Sequence, residues 1–427
     1  MAATTGLLVL FALLILGLPV ALALLLSGAI GLFLVGGLNL AIGIIGTTPL
    51  ASIQGYEFAT VPMFILMANF IIVSGIGEDM FDVAKTWTGR MPGGLAQATA
   101  LTGAAFGAIS GSSTAAAATL SSTTIPGMIK QGYDPRLASG VAAISGTLSM
   151  LIPPSIAMII YALLADMNVG QMLIAGIVPG IVVTLTIMST ILLLVYVNPA
   201  HAPRAQRYSM LEKIISLKAA WGFLVLFTIV VGVIYSGVAT PTEASAFGAL
   251  GAFLLTLRRR LSLRTYIRAI VSALEASCMV GFIILCALVF GYFMTMTQTT
   301  QGLIDFLVGS GMGRWTILLL VLLVYLILGC FMDLAAMLIL TVPIVHPLIL
   351  ELGFDPIWFA VVTIVVGEIA MVTPPLGMNV FVISKYTGIP VGTVFGGCMP
   401  HIVAHLFAVA ILLIFPALVT WLPYSMN

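Results

Sequence analysis

One stretch constrains this chain more than any other: GYDPRLASGVAAISGTLSMLIPP at 132–154, which returns 221 positions later as GFDPIWFAVVTIVVGEIAMVTPP at 353–375. The register holds without a gap. Asp134-Pro135 answers Asp355-Pro356, Gly146 answers Gly367, Met150 answers Met371, and Pro153-Pro154 answers Pro374-Pro375. The match extends outward, pairing Pro126 with Pro347 and Pro179 with Pro400, and SGAIGLF at 27–33 resembles FGALGAF at 247–253. Two halves of similar length share one design.

Each copy is an apolar run interrupted by a glycine and then by two prolines. Proline lacks the N–H that a helix needs and clashes with the preceding turn. Inside a bilayer, backbone groups freed this way cost several kcal/mol each unless a water-filled cavity, an ion or a neighbouring helix satisfies them. Matching interruptions in two repeats point to a transporter's binding site. The plainer alternative is a pair of proline kinks that only pack.

The bilayer itself follows from composition: 61% of residues are hydrophobic and 7% charged, where soluble domains carry roughly 25% charged residues. The apolar runs are long enough to cross a ~30 Å hydrocarbon core repeatedly. Strand-like alternation is absent, so the expected fold is an all-α integral membrane protein. No hydrophilic segment is long enough for a separate soluble domain, and no exposed basic stretch interleaved with aromatics points to nucleic acid. The N-terminus lacks the positive region of a signal peptide and reads as a retained first span. Cys278, Cys286, Cys330 and Cys398 stand singly in apolar surroundings, which favours core packing over disulfides or metal.

Read in order, the chain divides into a first repeat at 1–200, a cytoplasmic connection at 201–220 and a second repeat at 221–427. The first comprises scaffold spans (1–90), a hairpin (91–130), a broken helix (135–165) and a return helix (170–197). The second comprises scaffold spans (221–300), a hairpin (314–352), a broken helix (356–384) and a last helix (393–422, drawn out from Phe395). The first two spans are predicted over 5–26 and 27–45, the span after the connection's second pair over 270–296. Segment 92–129 is rich in Gly, Ala, Ser and Thr around ISGSSTAAAATLSST, too polar and small for a lipid-facing helix. A re-entrant hairpin with its tip at 110–113 is the preferred reading, since such backbone survives at membrane depth only in protein or beside a cavity. A tight helix pair that simply crosses is the alternative.

Charge sets the expected orientation. The connection carries Arg204, Arg207, Lys213 and Lys218, and RRRLSLRTYIR follows at 258–268. Both flank the same pair of spans, and excess Lys and Arg mark the cytoplasmic side. The ends of the first hairpin carry Lys85, Arg90, Lys130 and Arg136, whereas those of the second carry Arg314 against Asp305, Glu351 and Asp355. The first hairpin is therefore expected to enter from the cytoplasm and the second from outside. The repeats read as inverted.

The tip SGSS at 110–113 and the break GTLS at 146–149 offer hydroxyls and glycine-exposed carbonyls. Hard monovalent cations favour such neutral oxygens. The second-half counterparts are Gly329, Met332 and Asp333 at the tip, with Gly367, Glu368 and Thr373 at the break. Asp333 lies in a long apolar run, where a charge is expensive and marks function by default; Glu368 has a similar claim. Glu243 reads instead as part of a capping box with Thr240 and Pro241. No Walker A sequence is present, so ATP does not drive the protein directly. His401 and His405 share a helix face but lack the Glu of a zinc protease, and no nucleophile–base pair can be assembled. An enzyme is the weakest reading; a channel is the second, after a secondary transporter.

GAISGSSTA, GYDP followed by a PPS break, GVATPTEASA, GCFMD and VTPPLGMNVFV together resemble the large membrane subunit of tripartite ATP-independent periplasmic (TRAP) transporters, over essentially the whole chain. The resemblance implies an elevator-type fold in the bacterial inner membrane and sodium-driven uptake of an organic acid such as a C4-dicarboxylate or sialic acid. It also implies a small four-helix membrane subunit and a periplasmic substrate-binding protein as partners, with no cofactor beyond coupling sodium ions. Ser110, Ser112, Gly146, Ser149, Pro154, Gly329, Gly367, Thr373 and Pro375 are the expected sodium ligands. Ser113, Asp333 and Asn379 are expected to face the substrate.

Overall fold

Every regular element among the described residues, 2–203 and 208–426, is helical in this computed structural model. The first half comprises α1 (Ala2–Ile15), α2 (Val20–Ile53), α3 (Thr60–Ser74), α4 (Ile76–Thr88), α5 (Gly94–Ser110), α6 (Ser113–Thr123), α7 (Ile125–Lys130), α8 (Pro135–Thr147), α9 (Ile156–Leu164), α10 (Val169–Ala175) and α11 (Ile177–Val197). After α12 (Met210–Ser216), the second half runs through α13 (Trp221–Tyr235), α14 (Pro241–Leu257), α15 (Leu263–Met296), α16 (Thr299–Gly309), α17 (Arg314–Gly329), α18 (Leu334–Glu351), α19 (Pro356–Ala370), α20 (Met378–Thr387), α21 (Val391–Ile414) and α22 (Ala417–Tyr424). Among the described residues, six helices or consecutive helix pairs are long and apolar enough to cross a membrane.

The burial pattern suits lipid rather than water. Ile15, Tyr196 and Phe407 are largely exposed, whereas Ser113, Ser145, Ser149, Glu368, Asn379 and His401 are fully buried. Polar groups inside and apolar groups outside is what a hydrocarbon solvent selects.

Helix starts follow local rules. Asp134 and Asp355 cap α8 and α19, accepting from the N–H of Arg136 (2.8 Å) and of Trp358 (2.9 Å), with Pro135 and Pro356 in the first turn. A side-chain acceptor followed by proline satisfies the first orphan donors. Thr240 and Glu243 form the expected capping box. Boundaries differ from expectation where hydropathy is continuous. The first turn falls at 16–19, with Gly17 left-handed and Pro19 opening α2, not at 26–27. α2 then continues to Ile53, kinked at Gly36 and Gly37. α15 starts earlier than expected because Ser262 caps it. The last span stops at Ile414, where Phe415, ahead of Pro416, leaves the helical region (φ −120°, ψ 72°). Arg204 and Arg207 lie outside the described residues.

Elements about 220 positions apart exchange partners. α2 packs along α15 and α14 along α3; α6 packs on α20 and α9 on α18. Both arms of α5–α6 rest on α8, and both arms of α17–α18 rest on α19, so each pair is a helical hairpin folded back against its own broken helix. Small residues allow the closest approaches. A Cβ on Gly28 of α2 would lie 3.0 Å from the Phe290 Cα of α15, and one on Gly140 of α8 only 2.3 Å from the Gly397 carbonyl of α21.

Candidate functional site

In the first half, Gly111 ends α5 in the left-handed region (φ 58°) and Ser112 starts α6, its Oγ accepting from the Ala115 N–H at 3.4 Å. The tip this turn makes rests on the break after α8. A Cβ at Gly111 would sit 3.0 Å from the Pro154 carbonyl oxygen, and one at Gly107 2.9 Å from the Ser149 nitrogen. Gly146 in turn faces the Ala117 nitrogen of α6, a Cβ there lying 3.0 Å away. Fold thus gathers Ser110, Ser112, Ser113, Gly146, Ser149 and Pro154 at one place. Between α8 and α9 the chain makes a short 3-10 turn at Leu148–Met150, and Ser149 Oγ donates to the Gly146 carbonyl at 2.8 Å.

The second half repeats the arrangement with different chemistry. A Cβ on Gly329 would meet the Ala370 Cβ at 2.6 Å, and one on Gly367 would meet Leu334 Cδ1 at 2.3 Å, so the tip between α17 and α18 rests on α19. Thr373 Oγ1 donates to the Ile369 carbonyl at 2.7 Å, which leaves its lone pairs available. Pro375 is exposed in the turn that follows. Both breaks carry a cis proline, at Pro153-Pro154 and Pro374-Pro375.

At the site, one buried side chain of the second half bonds directly to the first. Asn379, at the start of α20, is fully buried; its Nδ2 donates to Ser113 Oγ at 2.7 Å and to the Ala143 carbonyl of α8 at 3.2 Å. Two of the three residues expected to face substrate therefore meet. Asp333 does not join them by any hydrogen bond or ion pair among the described residues. It caps α18 instead, its Oδ1 accepting from the Ala336 N–H at 3.2 Å.

Several buried oxygens near these breaks have no hydrogen-bond partner among the described residues: Ser110 Oγ, Ser145 Oγ, Asn379 Oδ1 and both carboxylate oxygens of Glu368. Buried acceptors are normally satisfied, so this set is a concentration of hard-oxygen donors. Ser145 escaped the sequence reading because a serine one residue before the glycine break has no distinguishing spacing. Ala143 escaped it because a helical carbonyl leaves no mark in sequence. His401 and His405 are buried with no third ligand: no group of three potential metal-binding side chains occurs among the described residues.

The family described as "Tripartite ATP-independent periplasmic transporter, DctM component" matches residues 7–418. A "C4-dicarboxylate TRAP transporter large permease protein DctM" of Pseudomonas aeruginosa is 36% identical over 373 residues, covering 87% of this chain and 85% of the relative. A "Sialic acid TRAP transporter large permease protein SiaM" of Vibrio cholerae is 30% identical over 380 residues, covering 88% of each. A "2,3-diketo-L-gulonate TRAP transporter large permease protein YiaN" of Escherichia coli is 27% identical over 401 residues, covering 93% of each. Among solved structures, the YdaH transporter of Alcanivorax borkumensis superposes with a TM-score of 0.60 over 93% of this chain and 97% of its own, at 14% identity. At that identity the likeness concerns the fold alone.

Proposed function

Because the chain belongs to the DctM component family of tripartite ATP-independent periplasmic transporters, we propose that it carries a small organic acid across the bacterial inner membrane by sodium symport. It is a multi-pass transport component, not an enzyme. The observation that carries the sodium reading is the pair of hairpin tips lodged on helix breaks, with neutral oxygens gathered at each. Ser110, Ser112, Gly146, Ser149 and the Pro154 carbonyl serve one ion; Gly329, Gly367, Thr373 and Pro375 serve a second. Most of these groups cannot titrate near neutral pH, which favours sodium over protons. The relatives named above are named for C4-dicarboxylate, sialic acid and 2,3-diketo-L-gulonate, and an organic acid of this kind is the proposed cargo. The Ser113–Asn379 pair sits where it is recognised, with Asp333 at the second tip.

Driving an anion inward against the membrane potential costs about 2.3 kcal/mol per charge per 100 mV. At least as many cations as substrate charges must enter with it, and one more makes uptake electrogenic. The hairpins and broken helices move together as an elevator against the scaffold of α2 with α15 and α3 with α14. A small four-helix membrane subunit and a periplasmic substrate-binding protein complete the system. The test is uptake into proteoliposomes holding the chain with both partners. An inward sodium gradient is expected to drive transport and a positive-inside potential to slow it. Ser112→Ala and Thr373→Ala are expected to raise the sodium concentration for half-maximal rate. Uptake that follows a pH gradient in sodium-free buffer would overturn the proposal, and equal uptake by the lone chain would remove the partners.

Inverted orientation of the two repeats belongs to the same reading, supported by the exchanged packing and by the charge at the hairpin ends. Single cysteines are introduced at Lys130 and at Glu351 after the exposed Cys278 is changed to serine. An impermeant thiol reagent is expected to reach the first from the cytoplasm only and the second from the periplasm only. Labelling of both from one face rules inversion out.

A further inference from the structure

We propose that a pocket at one end of the scaffold holds the phosphodiester headgroup of an anionic phospholipid. Three chain corners meet there: the α3–α4 turn, the entry to α13 and the end of α14. The cavity has a volume of about 170 Å³, and its lining includes Ser74, Asp79, Trp221, Gly222, Arg258 and Arg259. That is room for a polar group several water molecules in size.

Charge selects the occupant. Arg258, Arg259 and Arg260 are consecutive, and Arg264 and Arg268 follow on α15. All five are exposed. Arg259 is engaged internally: its guanidinium reaches Glu78 at 3.3 Å, Asp79 at 3.7 Å and the Gly75 carbonyl at 3.4 Å. It lies so close to Gly75 that a Cβ there would fall 2.3 Å from it. Glu78 and Asp79, the one carboxylate in the lining, share that single guanidinium, so the excess positive charge comes from the arginines around it. Arg258, Arg260, Arg264 and Arg268 form no ion pair among the described residues. A basic pocket between membrane helices matches a phosphodiester anion.

Depth selects a lipid over a soluble anion. α12, beside the pocket, exposes Met210, Leu211, Ile214 and Ile215 (64%, 68%, 59% and 52%) along one stripe and bends 56° away from α13. Such a helix lies in the membrane–water interface. Lys213 from its other side sits 5.8 Å from the Trp87 ring of α4. Trp221, at the pocket, is 46% exposed, as tryptophans at headgroup level are. The pocket therefore opens where phosphates of the leaflet lie, under the helix α4 that leads into the first hairpin.

Native mass spectrometry of the full chain in detergent, titrated with phosphatidylglycerol or with phosphatidylcholine of the same acyl chains, tests this. Phosphatidylglycerol is expected to bind saturably and the more tightly of the two. Arg258→Ala and Arg260→Ala are each expected to weaken it about fivefold, the contribution of one basic residue at a membrane surface, without changing phosphatidylcholine. Arg314→Ala, on the second hairpin, is expected to leave both unchanged. Equal affinity for the two lipids, wild-type binding in both arginine variants, or displacement of the lipid by millimolar inorganic phosphate would each overturn the proposal.

Discussion

Gly397→Val is expected to abolish recovery of folded protein, whereas Gly396→Val, one residue earlier in α21, leaves it intact. A Cβ at position 397 would lie 2.0 Å from the Arg136 carbonyl oxygen, 2.8 Å from its carbon and 3.0 Å from the Gly140 Cα. All three are backbone atoms of α8, so no side-chain rotation relieves the clash. Overpacking relieved by side-chain shifts typically costs 1–3 kcal/mol; here two helices must separate, and the cost exceeds that range. Gly396 has no atom within 4 Å of its notional Cβ. Both variants introduce the same β-branched residue into the same helix, so propensity cancels and only the crossing remains. Size-exclusion profiles of the two chains in detergent are the measurement. Matching monodisperse peaks would show that α8 and α21 do not cross at this glycine.

The second large effect is expected at Asn379. Removing its amide in Asn379→Ala leaves Ser113 Oγ and the Ala143 carbonyl buried without their donor, and a buried polar group left unpaired costs about 1–3 kcal/mol. If that bridge holds the two halves of the site in register, the initial rate of uptake falls by roughly five- to a hundred-and-fiftyfold, the same energy expressed as a rate. Asn379→Asp is expected to be worse, because a carboxylate would face the Ala143 carbonyl oxygen at 3.2 Å, the distance the amide donor now spans. Ser113→Ala keeps the bond to Ala143 and is expected to lose less. A thermal melt on the same preparations separates lost folding from lost transport. An Asn379→Ala protein that transports at the wild-type rate would show that the bridge has no part in function.

Much of the architecture was legible because it is written in local rules. Asp-Pro at 134 and 355 starts a helix wherever it stands, since the carboxylate caps and the proline fits the first turn. The double prolines end helices whatever surrounds them, and the gapless repeat of both signals marked two equivalent breaks before any contact was known. The tips read at 110–113 and around Gly329, Met332 and Asp333 stood out through glycine and polar residues in otherwise apolar segments, and both fall between helices, α5–α6 and α17–α18. Where the signal was only continuous hydropathy, as over 5–45 and 395–422, the helix ends were misplaced. Hydrocarbon burial has no period that says where a turn occurs.

Tertiary structure decided the pairing. Ser113 and Asn379 are 266 positions apart, and nothing in either neighbourhood specifies the other. Their meeting depends on α20 packing on α6 rather than on its own half's hairpin. The α8–α21 crossing depends likewise on two glycines, Gly140 and Gly397, that sequence presents as two among 43. Asp333 shows the same limit from the other side. Its charge in an apolar run was visible, but whether that charge faces a ligand or caps a helix depends on where α18 begins. Sequence alone determined where the backbone must break and some of the oxygens beside the breaks, Ser145 and the Ala143 carbonyl excepted. Only packing, which acts between residues far apart in the chain, decided which of those oxygens meet.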